Sequence, residues 1–125
     1  MKQTLPRLIA LKRLTTAESL SANSTLAALH EKEKRLRANL TNLNAQKRLA
    51  AQSKDAAAIA GAHIRWQKWA DEKRAVINVE LAAILGQKAA ARAKAKRAFG
   101  KDQALSALVD RETKLKNEWL ERRLD

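Results

Sequence analysis

Leucine, isoleucine and alanine recur along this chain at intervals of seven residues, and charged residues fill most of the positions between them. An α-helix turns once every 3.6 residues, so positions seven apart stand nearly above one another on one face. Leu8, Thr15, Ala22, Leu29, Leu36, Leu43, Ala50, Ala57 and Ile64 therefore form one stripe, which Leu26 and Leu40 widen. A second stripe runs through Ile77, Ile84, Ala91, Ala98, Leu105, Glu112 and Trp119, flanked by Leu81, Leu108, Val109 and Leu115. Thr15 is the one polar member of the first series and Glu112 the one polar member of the second. Period-two alternation and β-branched runs are absent, so strands are not expected. An alanine-rich helix of no special register would not space its leucines this way. The pattern predicts an all-α chain, a long antiparallel two-helix coiled-coil hairpin.

Pro6 is the only proline, so nothing after it forces a helix to stop. Two helices that each hide one stripe satisfy each other by folding back, which sets arm one at about 5–55 and arm two at about 63–123. The tip is expected at 53–63. Ser53, Lys54 and Asp55 supply turn chemistry there, and Gly61 is of the kind favoured where helices end. Each arm would be on the order of 80 Å long at about 1.5 Å per residue. Gly86 and Gly100 are read as helix-interior, since glycine there costs only about 1 kcal/mol against alanine. Thr15 to Glu18 has the pattern of a capping box, and Ser21 to Thr25 is poor in helix propensity, so the segment 15–25 leaves room for a break or fray within arm one. Residues 1–17 are basic and lack acids. They read as the first turns of the long helix, with a mitochondrial transit peptide as the alternative.

A length of 125 residues bounds the chain to one domain, yet two long helices bury only a stripe each. The chain contains no cysteine, which removes disulfides and thiolate metal sites. No apolar run approaches the roughly 20 residues that span a bilayer, so the expected location is cytoplasmic, with peripheral attachment at the inner membrane as a variant. His30 and His63 lack the spacing of a metal site. Gly100 and Lys101 resemble the end of a phosphate-binding loop, but Ala95 and Asp102 stand where that motif needs glycine and a hydroxyl residue. The acid pairs Asp71/Glu72 and Glu31/Glu33 lie in charged surface, where nothing would separate their pKa values. No enzyme activity and no cofactor are expected.

Charge sharpens the picture. The chain carries 26 Lys and Arg against 13 Asp and Glu, a net charge of +13, and both halves share the excess. Its densest block is Lys88, Arg92, Lys94, Lys96, Arg97 and Lys101, with no acid from Leu81 to Gly100. Such a surface attracts an acidic protein, nucleic acid or anionic lipid. Opposite charges at helical spacing, Glu31/Arg35, Glu33/Arg37 and Asp110/Lys114, offset part of it. Trp66 and Trp69, three residues apart beside Arg65, Lys68 and Lys73, are either a partner-binding surface or packing near the tip. Trp119 is expected in the core, in line with Leu105.

A basic, cysteine-free, proline-poor chain with two long amphipathic helices, the second reading AAARAKAKRAFGKDQALSAL from Ala89 to Leu108, resembles the stalk proteins of type III export, the flagellar FliJ and injectisome YscO type. The charged stretch from Glu112 to Asp125, with Leu115, Trp119 and Leu120 on one side, is similar to that family's C-terminal arm. The resemblance implies an antiparallel coiled coil like the rotary stalk of ATP synthases. It implies docking in the opening of a hexameric export ATPase, contact with a membrane export gate and, in some members, escort of chaperones. The family has no sharp motif, and this chain is shorter and carries the Trp pair, so no residue role transfers with it. The alternative is a basic helical nucleic-acid-binding protein using the 88–101 block. An intermolecular coiled coil would satisfy the same stripes.

Overall fold

The computed structural model describes the backbone of residues 4–51 and 56–124 and the side chains of 4–49 and 61–124. All of the described backbone is helical. Helix α1 is Thr4–Ala51, 48 residues, and helix α2 is Ala56–Leu124, 69 residues. Pro6 sits in the first turn of α1, where its missing N–H deprives no helical bond. The two helices pack against each other as a hairpin, as the stripes predict.

No break occurs between 15 and 25, because α1 runs through that segment. Its hydroxyls turn back onto the helix instead of interrupting it. Thr25 donates to the Ser21 carbonyl at 3.1 Å, and further along Thr41 donates to that of Arg37 at 3.0 Å. Burial of Ser19 and Ala22 against α2 then outweighs the weak local propensity. Of the expected tip, residues 53–55 lie outside the described residues, while Ala56 to His63 is helical. Gly61 has no positive φ, so it is an ordinary helical residue there and ends nothing.

Two compact units divide the chain, Met1–Leu26 with Ala90–Asp125, and Ala27–Ala89, and both helices contribute to each. In the first, the seam positions of α1 are Leu5, Leu8, Lys12, Thr15, Ser19, Ala22 and Leu26, which alternate steps of three and four residues, with Thr16 partly covered beside them. Those of α2 are Ala91, Ala95, Ala98, Asp102, Leu105, Val109 and Glu112, with the same alternation and Ser106 partly covered beside Leu105. That is the heptad seam of a coiled coil. Its centre is a layer of Ala22, Ala95 and Ala98, whose small side chains let the helices approach closely. The second unit has a bulkier seam, with Leu29, Leu36, Leu40 and Leu43 facing Ala70, Ile77, Leu81 and Ile84. There α2 steps from Trp66 to Ala70 to Arg74 in two successive fours, a stutter that locally unwinds a heptad repeat.

Two seam expectations are corrected. Ile64 is 66% exposed, because α2 starts its own register beyond the connection and carries the seam through His63 and Trp66 instead. Trp119 is 51% exposed rather than core. The pairing with α1 ends at Glu112, and every residue from Thr113 to Leu124 is exposed. No described helix is long and apolar enough to cross a membrane.

The seam predicts a steep contrast in mutational cost. Leu29→Ala, at a position 8% exposed, should lower unfolding free energy by about 2–5 kcal/mol, and Ala98→Leu, at 1%, by about 1–3 kcal/mol through overpacking. Leu14→Ala, 68% exposed, should stay within about 0.5 kcal/mol. Urea unfolding followed by circular dichroism checks the ranking, and equal costs at all three positions would contradict the seam.

Candidate interaction surfaces and the polar seam

Three of the charged and polar groups that matter most lie inside the seam rather than on the surface. Glu33 falls on the line Leu26, Glu33, Leu40 of α1, and Lys88 on the line Leu81, Lys88, Ala95 of α2, each at seven-residue spacing. Packing therefore forces the two together. Lys88 Nζ donates to Glu33 Oε2 at 2.7 Å, with the two side chains only 14% and 11% exposed. Arg37, one turn along α1, donates from Nε and Nη2 to the other oxygen of Glu33, Oε1, at 3.2 Å each. Lys88 Nζ also lies 3.1 Å from His30 Nδ1. An ammonium has only protons to offer, so in this contact Nδ1 is the acceptor. Both carboxylate oxygens thus accept a hydrogen bond, and the ammonium has two partners.

The hydrogen bond from Lys88, assisted by those from Arg37, holds the Glu33 carboxyl below its ordinary range, against the opposing pull of desolvation. A carboxylate whose pKa is lowered on folding stabilises the fold above its unfolded value, about 4.3, and that contribution fades as pH falls through the lowered native value.

The third polar residue is Asp102. Thr16 Oγ1 donates to Asp102 Oδ1 at 2.7 Å. Thr15 Oγ1 has one proton, to give either to the same oxygen at 3.2 Å or to the Lys12 carbonyl at 3.0 Å. The threonines and the aspartate, which separately resemble helix caps, are partners across the two helices. Beside them Lys101 and Glu18 approach to 3.7 Å on the exposed flank, a pair worth little in water. In the second unit Arg74 bridges the helices, giving Nη2 to Asn44 Oδ1 at 3.1 Å and Nη1 to Asp71 Oδ1 at 3.2 Å.

The expected basic block divides accordingly. Lys88 belongs to the seam of one unit, while Arg92, Lys94, Lys96, Arg97 and Lys101 are exposed on the other. Among the described residues, no ion pair involves Arg92, Lys94, Lys96 or Arg97. Phe99 shares the side of α2 that carries Arg92 and Lys96 and is 56% exposed. The tryptophans divide too. Trp66 turns into the seam and is half-buried, whereas Trp69 remains 46% exposed with Lys68 exposed beside it. Arg65 folds its Nε back onto the Gly61 carbonyl at 3.3 Å.

Sequence reasoning placed Glu33 on the charged surface and Lys88 in the basic block because it followed single stripes at seven-residue spacing. The signal that finds the pair is the second line of each heptad, where an acid on one helix and a base on the other each sit between apolar neighbours seven residues away. The Asp102 contacts had no comparable signal.

The pair makes a pH-dependent prediction. A carbon-13 titration of the Glu33 carboxyl should give a midpoint below that of an exposed glutamate, and Lys88→Met should move it up and lower the thermal midpoint. Above about pH 4.3 Glu33→Gln should be less stable than the parent, and the difference should shrink on acidification. An unchanged Glu33 midpoint in Lys88→Met would show that the contact contributes nothing in solution.

No protein-family model matches the chain, no curated protein matches it, and no solved structure matches it.

Proposed function

We propose that this chain is a non-catalytic interaction protein, a helical hairpin that presents a basic surface to an acidic protein partner, and that it serves as a stalk of the type III export kind that its sequence resembles. The observation that carries this reading is the state of Arg92, Lys94, Lys96 and Arg97. They are exposed on a stretch of α2 whose seam face is covered by α1, and no described acid forms an ion pair with them. A surface of that kind costs the fold self-repulsion, which a complementary surface relieves on binding. In a stalk the partners are the acidic lining of a hexameric export ATPase and a membrane export gate. Trp69 and Lys68, with the neighbouring Trp66 and Arg65, are the proposed gate contact. The work of such a protein is mechanical and electrostatic, with no bond made or broken and no cofactor needed. It acts in the cytoplasm, at the inner face of the membrane.

A second reading is supported by Phe99. An exposed aromatic ring on the same side of α2 as Arg92 and Lys96 has the elements of a nucleic-acid surface, where cations track phosphates and a ring stacks on a base.

Reversing Arg92, Lys96 and Arg97 to Glu separates the two. On the stalk reading the variant loses affinity for a purified hexameric export ATPase, and the residual binding becomes less salt-dependent, since exposed charges are screened over about 10 Å at about 0.1 M salt. Tight binding of the parent to short single-stranded or duplex nucleic acid at physiological salt, lost on reversal and on Phe99→Ala, would replace it with the second reading.

A further inference from the structure

The end of α2 is half of a coiled coil whose other half is missing from the described structure. The seam line of α2 through Leu105, Val109 and Glu112 is covered by α1. The same line continues at three- and four-residue steps through Lys116, Trp119 and Arg123, where all residues are exposed. Leu115 and Leu120 flank it at 49% and 41% exposure. Trp119 is already organised for contact, with the Arg123 guanidinium 4.9 Å from its ring centre. Tryptophan and arginine packed together are the residue types that dominate interface energetics.

We infer that the Thr113–Leu124 segment docks an acidic amphipathic helix of another protein, which runs antiparallel to α2 and extends the path that α1 follows beside Leu105 to Glu112. Continuity supplies the first reason, since this face of α2 is the established helix–helix interface carried three turns further. Charge supplies the second and selects the occupant. With 100° of rotation per residue, Lys116, Trp119 and Arg123 point along the seam, while Glu118 and Glu121 lie on the far side of the helix. The docking face is therefore apolar and cationic, with its acids turned away. A second copy of the chain would set Lys116, Arg122 and Arg123 against their own kind, on a protein of net charge +13. A helix with leucines on its seam and glutamates beside them meets no such penalty. The inference does not depend on which assembly the chain serves, and it uses none of the residues of the exposed basic block.

The test uses the full chain and a fluorescein-labelled synthetic peptide of about three heptads, with Leu at the seam positions and Glu flanking them. A second peptide carries Lys in place of Glu. Fluorescence anisotropy should show the acidic peptide binding and the basic one not binding. Leu115→Ser, Trp119→Ser and Leu120→Ser together should weaken binding by at least about tenfold with an unchanged circular dichroism melt, since all three are exposed. Lys116→Glu, Arg122→Glu and Arg123→Glu together should reverse the peptide preference. The triple Glu variant of Arg92, Lys96 and Arg97 should retain most of the affinity. Equal binding by parent and serine variant would overturn the inference by moving the peptide to another basic surface, and absence of binding would overturn it outright. Sedimentation showing that the parent self-associates through Trp119 would replace the acidic helix with a second copy.

Discussion

One acid and one base share the inside of a helix–helix seam, and the register of the hairpin follows from where they meet. Glu33 and Lys88 are flanked along their own helices by leucine and alanine, so a displacement by one heptad would set each against an apolar side chain with its charge unpaired. Leaving these partly desolvated charges without partners disfavours that register. Leucine seams are tolerant of slippage. A polar layer is not, and Arg37 and His30 tie down the remaining valences of this one.

The other unit uses a different device toward the same end. Its centre is alanine, which permits close approach but discriminates weakly between neighbouring registers, since one alanine resembles the next. Asp102, accepting from Thr16 with Thr15 beside it, supplies the specificity that the alanines lack. Each unit thus pairs an apolar stripe that supplies stability with a polar contact that fixes alignment. Surface ion pairs such as Lys101 and Glu18 add little to either, because water screens them.

The all-helical architecture was legible in the sequence because heptad spacing and the lack of proline after Pro6 both constrain the whole length. A break or fray within Thr15 to Thr25 stays open on sequence alone because local propensity counts hydroxyls against a helix. Here their side chains bond back to the same helix or across to α2, and burial outweighs propensity. Trp119 was assigned to the core because a periodic line gives direction and not coverage. The line is real, but α1 does not accompany it past Glu112. Lys88 illustrates the converse: a basic run suggests a solvated face, yet one of its members is drawn inside by the three- and four-residue steps of the seam. The four cations that stay outside without acids are those on which the functional reading rests.

The central claim is that the two helices pair within one chain in the register set by these polar contacts. The chain has no cysteine, so labels can be placed at will. Nitroxides at Glu18→Cys and Lys101→Cys, on the exposed flank of the seam, report that register through their dipolar coupling in electron spin resonance. One short separation is expected, governed by helix axes about 8–10 Å apart, and it should persist when the labelled protein is diluted into an excess of unlabelled chain. A coupling that disappears on dilution, or a broad spread of separations, would show that the helices pair between chains or in no fixed register.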